Sequence, residues 1–417
     1  MKNVIRFYWI AIFMLANGAL FTWLFQGSIF SIWRQFLWGI GGGLVLLNIK
    51  NIFMEYKGVY HILRDQMIFM LFVLILSLFT WAFEGFNTMR LGYAFWIYFS
   101  GVPFLLFPCL LVQSGKTASE FFNVFIYLGL FLAIGIIFDY LLGGKITFFL
   151  GVFSSKMSLE DLNESGRYCF TAEAPTTFSV YFVFCMVCSL WKMYVSETQR
   201  TKFLMFLFSI IYIVGAWFTG SRQMVAVLAG TFMVGIGYYA LFVRDRKRFL
   251  LTSFMVFAVT FSTVVAFMYK DKAFQDRYAS KTISNDKRTL TWKKGYDLTF
   301  GSPEWGVFLW GKGVGLTQEQ KAEKGEATSS HYENTYIARM LEIGFVGVII
   351  LLYPFLRFLH NFSFRRFSDV LMLCFFLSYI FVCLVSPNGA HQTTQMVIFI
   401  VLGLIANKQY FFTNEET

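Results

Sequence analysis

The residues of this chain best suited to acid–base chemistry are its four histidines. His331 ends a long polar segment and begins HYENTYIARMLEIGFVGV, in which an apolar run starts near Asn334. A neutral imidazole at that position can accept a proton from a hydroxyl group, and the alternative is a solvated histidine on a loop. His391 lies in the Pro/Gly turn SPNGAHQTTQ and is interpreted as part of a loop, and His61 and His360 are interpreted as solvated.

Arg222 begins an otherwise apolar helix in the segment GAWFTGSRQMVAVLAG. Ser221 is predicted to cap this helix, whose free N–H groups and positive dipole end favour an anion. The guanidinium of Arg222 adds a planar fork that can bind a phosphate with two hydrogen bonds. The pattern predicts a phosphate or diphosphate site, and the alternative is an arginine that snorkels to a membrane interface.

Other candidate binding residues lie in polar segments next to helix ends. They are Arg288 in SNDKRTLTWKKG, Arg277 in QDRYAS, Arg167 in NESGRYCFTAEAP, Glu173, and Arg90 in FNTMRLGY. These segments contain no DxD and no His/Asp cluster with metal-ligand spacing. We therefore expect chemistry that needs neither a metal nor another cofactor.

Composition indicates which elements must position these residues. Hydrophobic residues make up 57% of the 417 and charged residues only 14%, whereas a soluble domain carries roughly a quarter charged residues. Such a chain needs lipid-facing surface. This excludes a soluble enzyme, a disordered chain and a disulfide-stapled secreted module. The predicted fold is all-α, a polytopic integral membrane protein with a single transmembrane domain over residues 1–417.

Apolar runs predict about 12 transmembrane helices of roughly 20 residues each. The runs fall near residues 5–25, 29–49, 67–85, 92–112, 120–141, 174–192, 203–219, 222–243, 249–268, 334–356, 368–386 and 393–408. Lys and Arg concentrate in the even-numbered connections, so those connections and both termini are expected in the cytoplasm. The first run is expected to stay in the protein, because no small-residue cleavage site follows it. The net charge of +11 is attributed to this cytoplasmic bias, and nucleic-acid binding is not expected.

Two external segments are too long to be turns, namely 142–173 and the larger 269–333 between spans 9 and 10. The larger one contains TLTWKKGYDLTF and EWGVFLWGKGVG, and we expect it to fold as short helices on the membrane surface. The pair Cys185 and Cys188 lies in the middle of an apolar run, so it is interpreted as core and not as a metal or redox pair. The spans hold few charges in the middle of the membrane.

Three segments together resemble the O-antigen polymerase and ligase superfamily of bacterial envelope enzymes. They are TGSRQMVAVLAG (219–230), KRTLTWKKGYDLTF with LWGKGVG (287–315), and HYENTYIARMLEIGFVGV (331–348). The second is similar to the family's Arg-x-x-x-Trp segment with a Gly-x-Gly close. The third is similar to its His, Asn, Tyr, Glu and Gly-x-x-Gly run, although the family has the Asn directly after the His or one residue further.

The resemblance implies a glycosyltransferase at the periplasmic face of the bacterial inner membrane. Its donor is a glycan linked to undecaprenol through diphosphate, and an acceptor hydroxyl displaces undecaprenyl diphosphate from the sugar C1. His331 is then the base, and Arg222 and Arg288 hold the diphosphate. The remaining expected substrate contacts are Arg167, Arg277, Arg90, Glu173, Tyr332 and Asn334. The expected partners are the lipid-linked glycan, an acceptor glycolipid, membrane lipid and a chain-length regulator, with no nucleic acid.

Two questions stay open at the level of sequence. A polymerase transfers the growing chain to another lipid-linked repeat unit, whereas a ligase transfers it to lipid A-core. We favour the polymerase, because polymerases are numerous and divergent. A glycan flippase or transporter is the alternative of another class, and it predicts charges buried within spans and Gly/Pro-broken helices in two matching halves.

Overall fold

The computed structural model describes a set of separate ranges along the chain. They are residues 2–25, 57–84, 90–92, 98–113, 118–151, 158–172, 178–242, 305–316, 334–385 and 391–412, with single positions at 39–41, 43, 47, 293, 296–297 and 301. All regular secondary structure in these ranges is helical, which confirms the predicted all-α class.

The described helices are numbered here in chain order, and one short 3₁₀ helix, Val102–Leu106, precedes α4. They are α1 (Lys2–Ala16), α2 (Gly18–Leu24), α3 (Lys57–Glu84), α4 (Phe107–Gln113), α5 (Ala118–Leu141), α6 (Lys145–Phe149), α7 (Leu159–Ser165), α8 (Phe178–Val195), α9 (Gln199–Phe218), α10 (Arg222–Phe242), α11 (Trp305–Trp310), α12 (Thr335–His360), α13 (Phe367–Val385), α14 (Gln392–Ala406) and α15 (Lys408–Phe411).

Helix α8 forms the centre of the bundle. Its sequence, FSVYFVFCMVCSLWKMYV, is apolar around nearly its whole circumference, and such a helix is buried on all sides. It contacts α5, α9, α10, α13 and α14. Cys185 and Cys188 are fully buried in it as free thiols, which confirms that they are part of the core.

Small residues let the neighbouring helices approach closely. A Cβ at Gly215 of α9 would lie 2.9 Å from the Ala133 Cα of α5, and one at Gly129 of α5 would lie 2.7 Å from the Cys185 Cβ of α8. Close contact of this kind is the usual basis of helix packing in membranes, because lipid supplies no hydrophobic drive between helices.

Six described helices are long and apolar enough to cross a membrane. They are Gly58–Ala82, Ser119–Leu141, Phe178–Val195, Gln199–Phe218, Thr335–His360 and Phe367–Val385. Each coincides with a predicted run, and the chain is a multi-pass membrane protein. Three predicted spans correspond to shorter apolar helices, Val102–Val112, Gln223–Tyr239 and Thr393–Ala406. The run 249–268 and most of 29–49 lie outside the described residues, so the count of about 12 spans stays a prediction.

The first predicted span is broken. The helices Val4–Ala16 and Gly18–Leu24 meet at an angle of 91°, so residues 5–25 form either a broken span or a re-entrant segment. Asn17 stands at the break, fully buried, and its side-chain oxygen accepts a hydrogen bond of 2.6 Å from the Thr171 hydroxyl. A polar contact from residue 171 thus stabilises the bend, which the uninterrupted apolar run does not reveal.

The segment expected to be the smaller external loop folds back onto the bundle. Asp139 of α5 accepts hydrogen bonds from the Ile146 N–H at 2.8 Å and from the Thr147 hydroxyl. The Thr147 oxygen accepts the N–H groups of Cys169 and Phe170 at 2.9 and 3.0 Å. This network holds the chain around Cys169 against the end of α5.

Candidate active site

The turn from α9 to α10 contains the candidate anion site. The Thr219 hydroxyl donates to the Ala216 carbonyl at 2.6 Å and accepts the Ser221 N–H at 3.2 Å, and Gly220 takes a left-handed conformation with φ of +65°. The Ser221 carbonyl accepts the N–H groups of Met224 and Val225. Arg222 is therefore the first residue of the helix, as predicted, although its side chain lies outside the described part of the molecule.

Polar atoms at this helix start are buried without partners. Ser221 is 6% exposed, and its Oγ has no hydrogen-bond partner among the described residues. The same holds for both amide atoms of Gln223. The predicted capping by the Ser221 side chain is therefore wrong, because only its backbone takes the cap position. Buried polar groups are nearly always hydrogen-bonded, so three such atoms beside a helix N-terminus indicate a place for a polar ligand.

The folded-back segment brings Arg167 to this turn. The Tyr168 N–H donates to the Phe218 carbonyl at 3.2 Å, four residues before Arg222. The ring of Tyr140 stacks on Phe218 with 4.2 Å between centroids and meets Tyr168 edge to face. Arg167, which directly precedes Tyr168, is exposed there. Two arginines that the sequence separates by 55 positions therefore belong to adjoining segments at one end of the bundle.

Helix α12 contains the second part of the site and is broken at Gly344. That residue has φ of +64° and ψ of −175°, so the helix consists of an initial piece up to Ile343 and a longer piece after it. Asn334 caps the initial piece, since its side-chain oxygen accepts the N–H groups of Tyr336 and Ile337 at 2.8 and 3.2 Å. Asn334, a predicted substrate contact, is buried, and in the structure its side-chain oxygen caps this helix.

The segment LWGKGVG packs into this break. The Lys312 N–H donates to the Leu341 carbonyl at 2.6 Å, and the Gly313 N–H donates to the Glu342 carbonyl at 3.3 Å. Carbonyl groups at the end of a helical piece need partners from outside the helix, and these two N–H groups supply them. A Cβ at Gly311 would lie 2.5 Å from the Glu342 carbonyl. Gly311 and Gly344 belong to different motifs about 30 residues apart, and both lie where these two motifs pack against each other.

Arg90, from an earlier part of the chain, lies next to the Gly-x-Gly turn. A Cβ at Gly315 would lie 2.5 Å from the Arg90 carbonyl oxygen, and one at Gly313 would lie 3.0 Å from the Thr80 side chain of α3. Arg90 is half-buried. The structure thus groups Arg90 with the Gly-x-Gly turn and with α12, and it groups Arg167 with the start of α10.

A buried polar cluster lies inside the initial piece of α12. Arg339 Nη1 pairs with Glu342 Oε2 one turn later, and both side chains are almost completely buried. Tyr98 bridges them, accepting from Arg339 Nη1 at 3.2 Å and donating to Glu342 Oε2 at 2.8 Å, with the guanidinium 4.8 Å from the ring centroid. This pair lies inside the candidate span Thr335–His360, within the first eight residues of the helix.

Sequence reasoning missed Arg339, Tyr98 and the role of Glu342. The charges at positions 339 and 342 interrupt an apolar run, and ionisable residues in spans are functional candidates by default. That signal was present in IARMLEIG. Their partner was not detectable, because Tyr98 lies 241 and 244 residues away from them.

A cavity of about 80 Å³ adjoins the cluster between α3, α12, α13 and α14. Its polar lining comes from Gln66, Tyr98, Thr335, Tyr336, Arg339 and Gln395, and the rest is apolar. A cavity of about 150 Å³ holds one benzene, so this one has room for a few water molecules and not for a lipid chain.

Five predicted site residues lie outside the described residues. They are His331, Tyr332, Arg277, Arg288 and Glu173. Their assigned roles stay predictions. Among the described residues no group of three or more His, Cys, Asp or Glu side chains is placed to hold a metal ion.

Comparison with known proteins agrees with the resemblance drawn from the three motifs. The family model for O-antigen ligase matches residues 206–352. That range extends from α9 through the break in α12, so it contains both parts of the site and overlaps all three motifs. The match confirms the resemblance to the O-antigen polymerase and ligase superfamily and supports a membrane enzyme of that type. No curated protein matches the chain.

Proposed function

We propose that this chain is a membrane glycosyltransferase that polymerises undecaprenyl-diphosphate-linked repeat units into O-antigen or a related surface polysaccharide. The observation that carries the proposal is the convergence of the Arg167 segment on the start of α10, where Ser221 and Gln223 have buried, unpaired polar atoms. A diphosphate carries the charge and the acceptor oxygens that such a place requires. The match to the O-antigen ligase family supports a donor of this class.

In the proposed reaction the diphosphate of the donor binds at the start of α10, with Arg222, Arg288 and Arg167 around it. His331 takes the proton from the acceptor hydroxyl as the hydroxyl oxygen forms a bond to the sugar C1. The bond between C1 and the diphosphate oxygen breaks, and undecaprenyl diphosphate leaves with the electron pair. Arginines stabilise the charge that develops on the leaving group. A diphosphate departs readily without a proton, so no acid is required.

The proposed location is the bacterial inner membrane, with both termini in the cytoplasm and the reaction at the periplasmic face. The acceptor is a second lipid-linked repeat unit, and a chain-length regulator is the proposed protein partner. A ligase that transfers the glycan to lipid A-core is the second candidate, because the matching family model is that of the O-antigen ligases.

The test is in vitro transfer by the purified protein with a defined lipid-linked repeat unit, with and without lipid A-core. A ladder of lipid-linked products supports the polymerase, and modified core without a ladder supports the ligase. The reaction should continue in EDTA, since the polar segments contain no metal-binding motif. Loss of all transfer in EDTA and its return with one divalent ion would overturn the metal-independent scheme.

A glycan flippase is tested in the same preparation. The break at Gly344 and the buried Arg339–Glu342 pair are features that a transporter also has. Proteoliposomes that move the lipid-linked glycan across the bilayer and form no new glycosidic bond would contradict the enzyme proposal.

A further inference from the structure

The initial piece of α12 is a short rigid element with its own attachments. The break at Gly344 separates residues 335–343 from the rest of the helix, and Asn334 caps the beginning of the piece. At its other end, Lys312 and Gly313 bind the carbonyls of Leu341 and Glu342. The piece directly follows the segment that contains His331 in the sequence, so its orientation determines where that segment starts.

The polar cluster determines how this piece is rotated about its axis. An Arg–Glu pair three residues apart on one helix fixes nothing between elements by itself. Tyr98 changes that, because its hydroxyl, from a separate segment, bonds both side chains at 3.2 and 2.8 Å. A rotation of α12 by one residue, about 100°, would remove both side chains from Tyr98.

Stability does not explain why charges occupy this position. Removing a carboxylate and a guanidinium from water is costly, and well-packed apolar residues at such places are often as stabilising or more so. Most of the lining of the neighbouring cavity is apolar, and it includes Val348, Leu351 and Phe355. Apolar side chains at positions 339 and 342 would therefore pack well in these surroundings. They would not, however, fix the rotation of α12 about its axis, because apolar contacts lack the directionality of hydrogen bonds.

We propose that Arg339, Glu342 and Tyr98 are positioning residues that hold the start of α12, which follows His331 in the sequence, in the one orientation that the transfer reaction needs. This rests on the proposed function. The three side chains do not contact substrate. They act through the helix, and a displacement of about 1 Å at a reacting group can cost as much as 100-fold in rate.

The experiment compares three kinds of variant of the full-length protein in the transfer assay. Tyr98→Phe removes only the bridging hydroxyl. Arg339→Lys keeps the charge without the planar fork. The double variant Arg339→Met/Glu342→Leu keeps volume and removes both charges of the pair together, so neither stays buried opposite a removed partner. Each is measured for turnover number, for KM, for donor affinity and for thermal unfolding in one detergent.

Matched controls come from α12 on the other side of the break, where it pairs with α3. Arg357 of α12 pairs with Asp65 of α3, with 2.8 Å between Nη1 and Oδ2. The variants Arg357→Lys and Asp65→Asn also disturb a partly buried ion pair of α12, but they lie beyond Gly344 and far from the start of the helix in sequence.

We expect turnover to fall about 10- to 100-fold in Tyr98→Phe and in the double variant, and less in Arg339→Lys, with donor affinity within about twofold of wild type. Controls with equal loss of thermal stability should keep their turnover. Full turnover of a folded double variant, or an equal fall of turnover in the controls, would overturn this proposal. If the wild type transfers no glycan from any lipid diphosphate, the proposed function itself fails, and the two results are thereby distinguished.

Discussion

At the start of α10 the side chains of Ser221 and Gln223 contain buried polar atoms that have no hydrogen-bond partner among the described residues. An unpaired buried hydroxyl contributes nothing to folding and carries a desolvation cost. Its retention is explained if the partner is a ligand. The unpaired atoms support the proposal that these residues take part in donor binding, on grounds that are independent of the family match.

Ser221→Ala should therefore weaken donor binding and leave the folded protein as stable as wild type. Ser179, the second residue of α8, is the control, since its Oγ is also buried and unpaired among the described residues but belongs to another helix. Ser179→Ala should change neither property. Donor affinity and thermal unfolding of both variants are the measurements, and equal donor affinity in Ser221→Ala would remove Ser221 from the site.

Arg222→Ala should remove charge-assisted hydrogen bonds to the diphosphate, each worth about 1.5–3 kcal/mol. Arg222→Lys should restore only part of the activity, because an ammonium is a point charge without the planar fork. Donor affinity and turnover are measured for both variants. Normal donor binding and turnover in Arg222→Ala would exclude a role in diphosphate binding, and Arg222 would then be an arginine that snorkels to the membrane interface.

His331→Ala should lower the rate by about 10²- to 10⁴-fold, the usual effect of a positioned base. Donor affinity should stay close to that of wild type, because a neutral imidazole contributes little to holding a diphosphate. The wild-type rate should fall on acidification, since a protonated imidazole accepts no proton, and this dependence should be absent from the residual rate of the variant. Full turnover without His331 would show that another group is the base.

At the scale of the elements, the break in α12 is where the two glycine-containing segments, LWGKGVG and the Gly344 region, pack together. Gly344 has a left-handed φ, which costs a residue with a Cβ about 1–2 kcal/mol. A Cβ there would also lie 2.5 Å from the Trp310 backbone nitrogen at the end of α11. Only glycine allows α11 and the Gly-x-Gly turn to pack against the break.

Gly344→Ala and Gly311→Ala should both lower stability by more than 1 kcal/mol, because each combines a positive φ with a backbone collision. Gly306→Ala in α11 and Gly237→Ala in α10 are the controls, since a Cβ at either position meets nothing within 4 Å. Alanine in a helix is favoured over glycine by about 0.5–1 kcal/mol, so these controls should be neutral or stabilising. Thermal unfolding in detergent checks the four variants, and equal effects would contradict the packing at the break.

At the scale of the whole molecule, the orientation in the membrane follows from the charge bias of the connections and is open to a direct test. Cysteines introduced at Lys247 and at Arg200, an exposed residue in the first turn of α9, should lie in the cytoplasm. A cysteine at Lys321 should lie outside. An impermeant thiol reagent applied to intact spheroplasts should label only position 321, and the opposite pattern would reverse the topology.

The native cysteines favour this experiment. All six are free and buried. Burial raises the pKa of the Cys169 thiol, with the charge of Asp139 acting in the same direction and that of Arg167 opposing it. A raised pKa keeps this thiol protonated at the labelling pH, and the protonated form does not react. Cys169 of the wild-type protein should therefore remain unlabelled until the pH is well above the ordinary pKa of a cysteine thiol.

The amino-acid sequence alone determined the membrane class, the all-α fold, the position of six spans and the family resemblance. These are mostly local properties, because a run of about 20 apolar residues in lipid satisfies its own backbone hydrogen bonds by forming a helix. The start of α10 at Arg222 was predicted for the same reason, since a Thr-Gly-Ser turn followed by an apolar run is a local helix signal.

Only the tertiary structure decided how the site is assembled. The bend at Asn17 depends on Thr171, the Arg339–Glu342 pair depends on Tyr98, and the approach of Arg167 to α10 depends on a bond between Tyr168 and Phe218. Each contact joins residues at least 50 positions apart. Periodicity and motif spacing carry no information about such partners, because hydrogen bonds between distant segments exist only after the helices have packed.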